Sequence, residues 1–317
     1  MITPYPSAHP HHSRVQVIMV STNWMFSGLL TILGFGSLDH DNDIRRSGCG
    51  RTQWFPGTTR YFRLRSSSRM RDFSVHIPLS YDKNRQYPTV LGFHGSSSIG
   101  FFFEADTKMS EPRFSNDKIM VYPSALNGSW GGPLYSSTPL IEDLRFVDDL
   151  LDWLRQDYCV DDSRIYATGM SNGGGFVGSL ACDAQIGGRF AAFAPVAGSF
   201  YTDWDGPDNG CEQARSIVPI IELHGLRDRL YEGRSSSGGK LPTIPAWYGL
   251  IFGVAAALIT PFHRLASWAK RDRCAIPPRV EDSHNGLVHR TIWTCNGTAG
   301  AVQHLRVDDM GLYLSWP

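Results

Sequence analysis

Between the apolar, β-rich run Arg164 to Thr168 (RIYAT) and a run of small residues suited to opening a helix, the chain carries Gly169-Met170-Ser171-Asn172-Gly173. A serine set on a sharp, strained strand-to-helix turn needs neighbours without Cβ atoms, because the flanking chain and sheet approach too closely for side chains. Gly174 and Gly175 continue the small-residue run into the helix start, where aligned amides favour negative charge. The G-x-S-x-G pattern therefore predicts a strand, a tight turn presenting Ser171, and a helix. The plainer reading of the same letters is a glycine-rich turn at a helix start.

The surrounding periodicity agrees with the first reading. Phe73 to Ile77 reads as an edge strand, Thr89 to Phe93 as a buried strand and Lys118 to Tyr122 as another. Val147, Leu150, Leu151, Leu154 and Tyr158 recur at helical spacing and predict an amphipathic helix over Leu144 to Asp157, lying on a sheet. The strand at Arg164 to Thr168 is followed by a helix from Asn172 to about Cys182, then by strands at Ala191 to Ala197 and Ile217 to Leu223. Strands alternating with helices of this length imply an α/β chain with a mostly parallel sheet and helices on both faces.

Composition bounds the function. Thirty Lys and Arg balance thirty Asp and Glu, so no electrostatic case exists for nucleic acid or an anionic membrane. Hydrophobic residues at 42 % with 19 % charged exclude a disordered or fibrous chain. The six cysteines (Cys49, Cys159, Cys182, Cys211, Cys274 and Cys295) form no CxxC pair and have no histidine at zinc-site spacing, which favours disulfides over a metal site or buried thiols. Connectivity stays open among fifteen arrangements, although Cys274 and Cys295 flank a hairpin and suggest one local pair. Asn127-Gly128-Ser129 and Asn296-Gly297-Thr298 are candidate glycosylation sites.

Two apolar segments interrupt the pattern. Val15 through Leu38 resembles the apolar part of a signal peptide but follows a His- and Pro-rich leader. A start at Met25 would give a short apolar run ending in small residues, so Met1 is read as lying upstream of the physiological start. Ala246 to Phe262 holds 17 residues without a charge, at the low edge of what spans a bilayer. A span there would separate the last strands from the sheet, so it is read as an insertion and not a membrane anchor. The domain reading is a signal-like leader over 1–48 and one catalytic domain over 49–317, interrupted at about 248–264.

The chemistry follows from three segments. Ser171 is the candidate nucleophile. His94-Gly95-Ser96-Ser97-Ser98 follows the strand TVLGF, and the loop at that position supplies a second backbone N–H beside the one that follows a nucleophile. Ser96 and Asn172 are thus the candidate oxyanion donors, and His94 reads as a loop-packing residue, not the base. Asp228, beyond the strand that ends at Leu223-His224-Gly225, is the candidate acid, in the chain order serine, acid, histidine; a surface Asp paired with Arg227 or Arg229 is the alternative. Phe101 to Phe103 and Trp130 are candidates to line an acyl pocket, with core packing the commoner fate of such rings.

At these residues the chain resembles a known family. LGFHGSSSIG, DKIMVYPSA, SRIYATGMSNGGGFVGSLACD, GSFYTD and IELHGLRD look like the fungal feruloyl esterases of the polyhydroxybutyrate-depolymerase-like group, within the first carbohydrate-esterase family. The likeness runs from about Cys49 to Trp316. It implies an α/β-hydrolase fold, secretion, no cofactor and no metal, with hydrolysis of hydroxycinnamoyl esters of arabinoxylan by a monomer. Plant cell-wall polysaccharide esters are then the partners, with no nucleic acid and no membrane. Ser171 takes the family's nucleophile position and Asp228 its acid position.

Two departures stand out. The segment from roughly Tyr248 to Arg264 intervenes where the family runs straight on, and its composition suits a retained intron translated in frame. The family's histidine lies in a G-H-[ST]-W-P motif, whereas this chain reads Gly311-Leu312-Tyr313-Leu314-Ser315-Trp316-Pro317. His263, His284, His289 and His304 are the other histidines after Asp228, and none matches the motif, so the base is unassigned. Impaired turnover, an inactive descendant, and an acetylxylan or polyester esterase are the competing expectations.

Overall fold

The computed structural model describes residues 47–133, 135–198, 211–227 and 268–311. The expectations placed on the leader, on Ala246 to Phe262, on Asp228, on His263 and on Leu312 to Pro317 lie outside the described residues.

β1 (Thr59–Ser66) and β2 (Arg69–His76) form an antiparallel hairpin closed by Ser67 and Ser68, both at positive φ. In β1, Phe62, Leu64 and Ser66 turn inward while Tyr61, Arg63 and Arg65 turn to solvent, the period-two signature of a half-buried strand. β1 takes the sheet edge, so the strand expected there, Phe73 to Ile77, belongs to β2 and lies one place in. The arginines of β1 suit an exposed edge and conceal its apolar alternation from a composition-based reading.

The chain continues through β3 (Tyr87–Phe93), α1 (Gly100–Thr107), α2 (Pro112–Ser115), β4 (Ile119–Pro123), α3 (Leu140–Asp157), β5 (Val160–Met170) and α4 (Asn172–Ala181). It ends in β6 (Ala192–Val196), β7 (Ile220–Gly225), β8 (Arg279–Ser283), β9 (Val288–Cys295) and β10 (Thr298–Val307). α3 starts at Leu140, earlier than the periodicity implies, because Pro139 caps it and the acidic residues Glu142 and Asp143 suit its first turn.

Among the described residues ten strands form one sheet in the order β1-β2-β4-β3-β5-β6-β7-β10-β9-β8. The central run β4, β3, β5, β6, β7 and β10 is parallel. The flanking strands on both sides pair antiparallel. The C-terminal ends of the six central strands therefore share one edge.

Helices cover both faces. Phe62 and Phe73 pack on Trp153 of α3 with ring centroids 4.8 and 4.9 Å apart, and Phe93 meets Phe176 of α4 at 5.2 Å. Tyr122, on the opposite pleat, meets Phe103 of α1. Trp130 and Phe103, two of the rings considered for a pocket lining, are buried, whereas Phe101 and Phe102 are exposed.

All six cysteines pair, as Cys49–Cys159, Cys182–Cys211 and Cys274–Cys295. The last brackets the β8–β9 hairpin, as expected. Asn127 and Asn296 are exposed at Asn-Gly turns, both at positive φ. No described helix is long and apolar enough to cross a membrane.

Candidate active site

Ser171 sits between β5 and α4 with φ 54° and ψ −117°. Positive φ is uncommon for a serine and stores strain that surrounding bonds must hold. Its N–H donates to Val196 O at the end of β6 (2.9 Å), and its carbonyl accepts the Gly175 N–H (2.9 Å), the first bond of α4. Gly173 shows why the turn admits no side chain: a Cβ there would lie 2.2 Å from Phe93 O and 2.5 Å from His94 O. β3 and α4 thus meet backbone to backbone.

That contact draws the loop after β3 against the serine. A Cβ on Gly95 would stand 3.6 Å from both Ser171 Cβ and Met170 O. The Ser171 turn, Asn172 and the Gly95–Ser96 segment are therefore brought together. The Asn172 N–H opens α4, where helix geometry offers no intrahelical acceptor. Ser96 is exposed, and its Oγ donates to Tyr135 Oη (3.1 Å).

Behind this surface lies a hydrogen-bonded frame that the sequence did not reveal. Asn172 is buried; its Oδ1 accepts the Trp130 N–H (2.7 Å) and its Nδ2 donates to Trp130 O (3.2 Å). Trp130 Nε1 donates in turn to His94 O (3.1 Å), and its ring stacks on Phe176 at 4.8 Å. The next residue, Gly131, donates its N–H to Asp143 Oδ2 (2.6 Å), and Asp143 Oδ1 accepts from Arg71 Nη2 (2.6 Å). These partners are 12 to 72 residues apart, and the only local hint was a tryptophan followed by two glycines.

His94 packs the loop. Its Nε2 accepts the Ala125 N–H (3.0 Å), and its Nδ1 faces Gly95 O at 2.7 Å. An acceptor on one side and a donor on the other select the neutral Nδ1–H tautomer. Burial lowers its pKa to about 4, against the pull of the Gly95 carbonyl.

β7 delivers the chain to the same edge. Leu226 N–H donates to Val307 O (2.8 Å) and Arg227 N–H to Met310 O (2.9 Å), so the exits of β7 and β10 are tied. Arg227 Nη2 also meets Asp309 Oδ1 at 2.6 Å. Asp228 follows directly.

The described histidines after Ser171 have other surroundings. His224 contacts Glu222, and His304 lies 3.8 Å from the same carboxylate; all three are buried on β7 and β10. Burial lowers the His304 pKa. His289 lies within β9, between Asp282 (2.8 Å) and Asp308 (3.1 Å), and the bonds to Asp308 and Asp282 raise its pKa. β9 is four strand spacings from β5, roughly 19 Å. His284 is exposed at a turn.

No protein-family model matches the chain. A probable feruloyl esterase C of Aspergillus terreus is 29 % identical over 213 residues, 64 % of this chain and 70 % of that protein. Feruloyl esterase C of Emericella nidulans is 25 % identical over 63 % of this chain and 68 % of its own length. An acetyl xylan esterase from Aspergillus awamori shares the fold, with a TM-score of 0.56 at 16 % identity over 78 % of this chain and 90 % of that one. The sheet and the serine turn give the chain the α/β-hydrolase fold, and over about three fifths of its length it is similar to fungal feruloyl esterases, which are carboxylic ester hydrolases.

Proposed function

We propose that the chain is a secreted esterase that cleaves feruloyl and related hydroxycinnamoyl esters of plant cell-wall arabinoxylan by acyl transfer to Ser171. The observation that carries this reading is the strained serine at the sheet's C-terminal edge with the Gly95–Ser96 loop packed against it. In the proposed sequence, Ser171 Oγ attacks the ester carbonyl and gives its proton to a base. The N–H groups of Ser96 and Asn172 hold the oxyanion, and the sugar hydroxyl departs with the proton. Water then attacks the acyl-enzyme and releases the carboxylate. Asp228 orients the base. Three disulfides fit an oxidising compartment and so support secretion.

The histidine is the weak link of this chain. Leu314 precedes Ser315-Trp316-Pro317, where the family motif carries histidine. Loss of a triad base costs about 10⁴- to 10⁶-fold in turnover. Ser171 is therefore expected to react with a fluorophosphonate only slowly, with labelling abolished in Ser171→Ala. Leu314→His is expected to raise hydrolysis of methyl ferulate at least about 10³-fold. A folded Leu314→His protein that neither labels at Ser171 nor cleaves methyl ferulate would end the esterase reading. Cleavage of acetylated xylan in preference to methyl ferulate would replace the acyl group but keep the mechanism.

A further inference from the structure

A groove of about 380 Å³ opens beside the first two strands. Its walls include Tyr61 and Arg63 of β1, Asp72 and Ser74 of β2, Phe101 of α1 and Ser124 just beyond β4. Tyr61 pairs in register with Ser74, and Ser74 with Tyr122, so these side chains share the face that α1 covers. The rim is formed one step further along, where Arg63 pairs with Asp72 next to the exit of β4.

The groove belongs to the same edge as Ser171. From β5 the sheet runs through β3, β4 and β2 to β1, so the groove spans two to four strand spacings from the serine, roughly 10–19 Å. Phe101 follows directly on the loop that carries Ser96.

Its chemistry is mixed in an informative way. Tyr61, Phe101 and Phe102 leave 38 %, 48 % and 54 % of their surface in solvent. The Tyr61 and Phe101 rings stand 6.3 Å apart and are tilted, and Phe102 meets Phe101 at 5.4 Å. Rings of this size are ordinarily buried, and a cluster of exposed ones marks a contact surface. Arg63 Nε lies 2.5 Å from Asp72 Oδ1, which leaves the rim neutral while presenting a planar donor fork and a carboxylate acceptor. At the floor, the Ser74 hydroxyl is buried with no hydrogen-bond partner among the described residues. An anion or a nucleic acid requires net positive charge, and a feruloyl group offers a single phenolic hydroxyl to a rim that presents both a donor fork and an acceptor. A sugar ring uses both parts, laying its C–H face on an aromatic ring and turning its hydroxyls to the polar rim.

We propose that this groove binds the backbone of an uncharged polysaccharide and holds it along the sheet edge that carries Ser171. The inference rests on the proposed function only in taking that polymer to be arabinoxylan. The probe is soluble arabinoxylan stripped of its esters, cast into a native gel with the full chain as the mobile species. The wild-type protein is expected to be retarded. Tyr61→Ala/Phe101→Ala is expected to bind at least about tenfold more weakly, with unchanged thermal melting and an unchanged rate of fluorophosphonate labelling. Equal retardation of both proteins, or none of the wild type, would overturn the proposal. So would a double variant with impaired labelling, which would make the groove part of the acyl site. Ring-dependent retardation by a protein whose folded Leu314→His form neither labels at Ser171 nor cleaves methyl ferulate would leave the groove standing and remove the esterase reading; labelling without retardation would do the reverse.

Discussion

Residues 94, 130 and 172 form a chain of hydrogen bonds in which each donor faces a defined acceptor. The Asn172 amide is bonded at both ends to the Trp130 backbone, so removing it leaves a buried N–H and a buried C=O unpaired. Asn172→Ala is expected to lose about 2 kcal/mol or more of stability in urea titration. His94 adds a proton dependence. Its folded pKa of about 4 lies below the ordinary 6.5, so the unfolded chain takes up the proton first. The associated stability is present in full above pH 6.5, falls as pH drops from 6.5 to about 4, and levels off below that, for a total of about 3 kcal/mol. Urea denaturation of wild type and His94→Gln at pH 7 and pH 4.5 checks this. The gap between them is expected to narrow at the lower pH, and a constant gap would contradict a neutral His94.

The pair Arg71–Asp143 works on the scale of elements. Asp143 stands in the first turn of α3, Arg71 in β2, and the Gly131 N–H reaches the same carboxylate, so one buried contact joins helix, strand and the Trp130 segment. Burial pushes the Asp143 carboxyl up and the Arg71 guanidinium down, each opposed by the other's charge. Arg71 also lies 4.0 Å over the Phe146 ring, one turn along α3. Asp143→Ala would strand a buried cation and is expected to cost about 3–5 kcal/mol, whereas Arg71→Met with Asp143→Leu should recover most of that loss. Equilibrium unfolding of the single and double variants separates the two outcomes, and no recovery in the double would mean that the Gly131 bond dominates.

Across the whole molecule the disulfides tie segments of very different separation. Cys49–Cys159 closes 110 residues and Cys274–Cys295 closes 21. If constraint of the unfolded chain governs their effect, removing the longer link costs about 1.5 kcal/mol more than removing the shorter. Paired Cys→Ala variants measured in urea test this, and equal losses would point to native-state contacts instead. The turn at Ser171, the parallel strands around it, α3 and α4, and the hairpin bracketed by Cys274 and Cys295 were legible in one dimension. Each is specified by neighbours within a few residues: glycines where backbone meets backbone, apolar spacing of two or 3.6, two cysteines around a turn. The edge position of β1, the Asn172–Trp130 clamp, the buried Arg71–Asp143 pair and the aromatic groove were not. Each joins segments far apart in the chain, and which partners meet depends on strand order and register, which only the packed sheet decides.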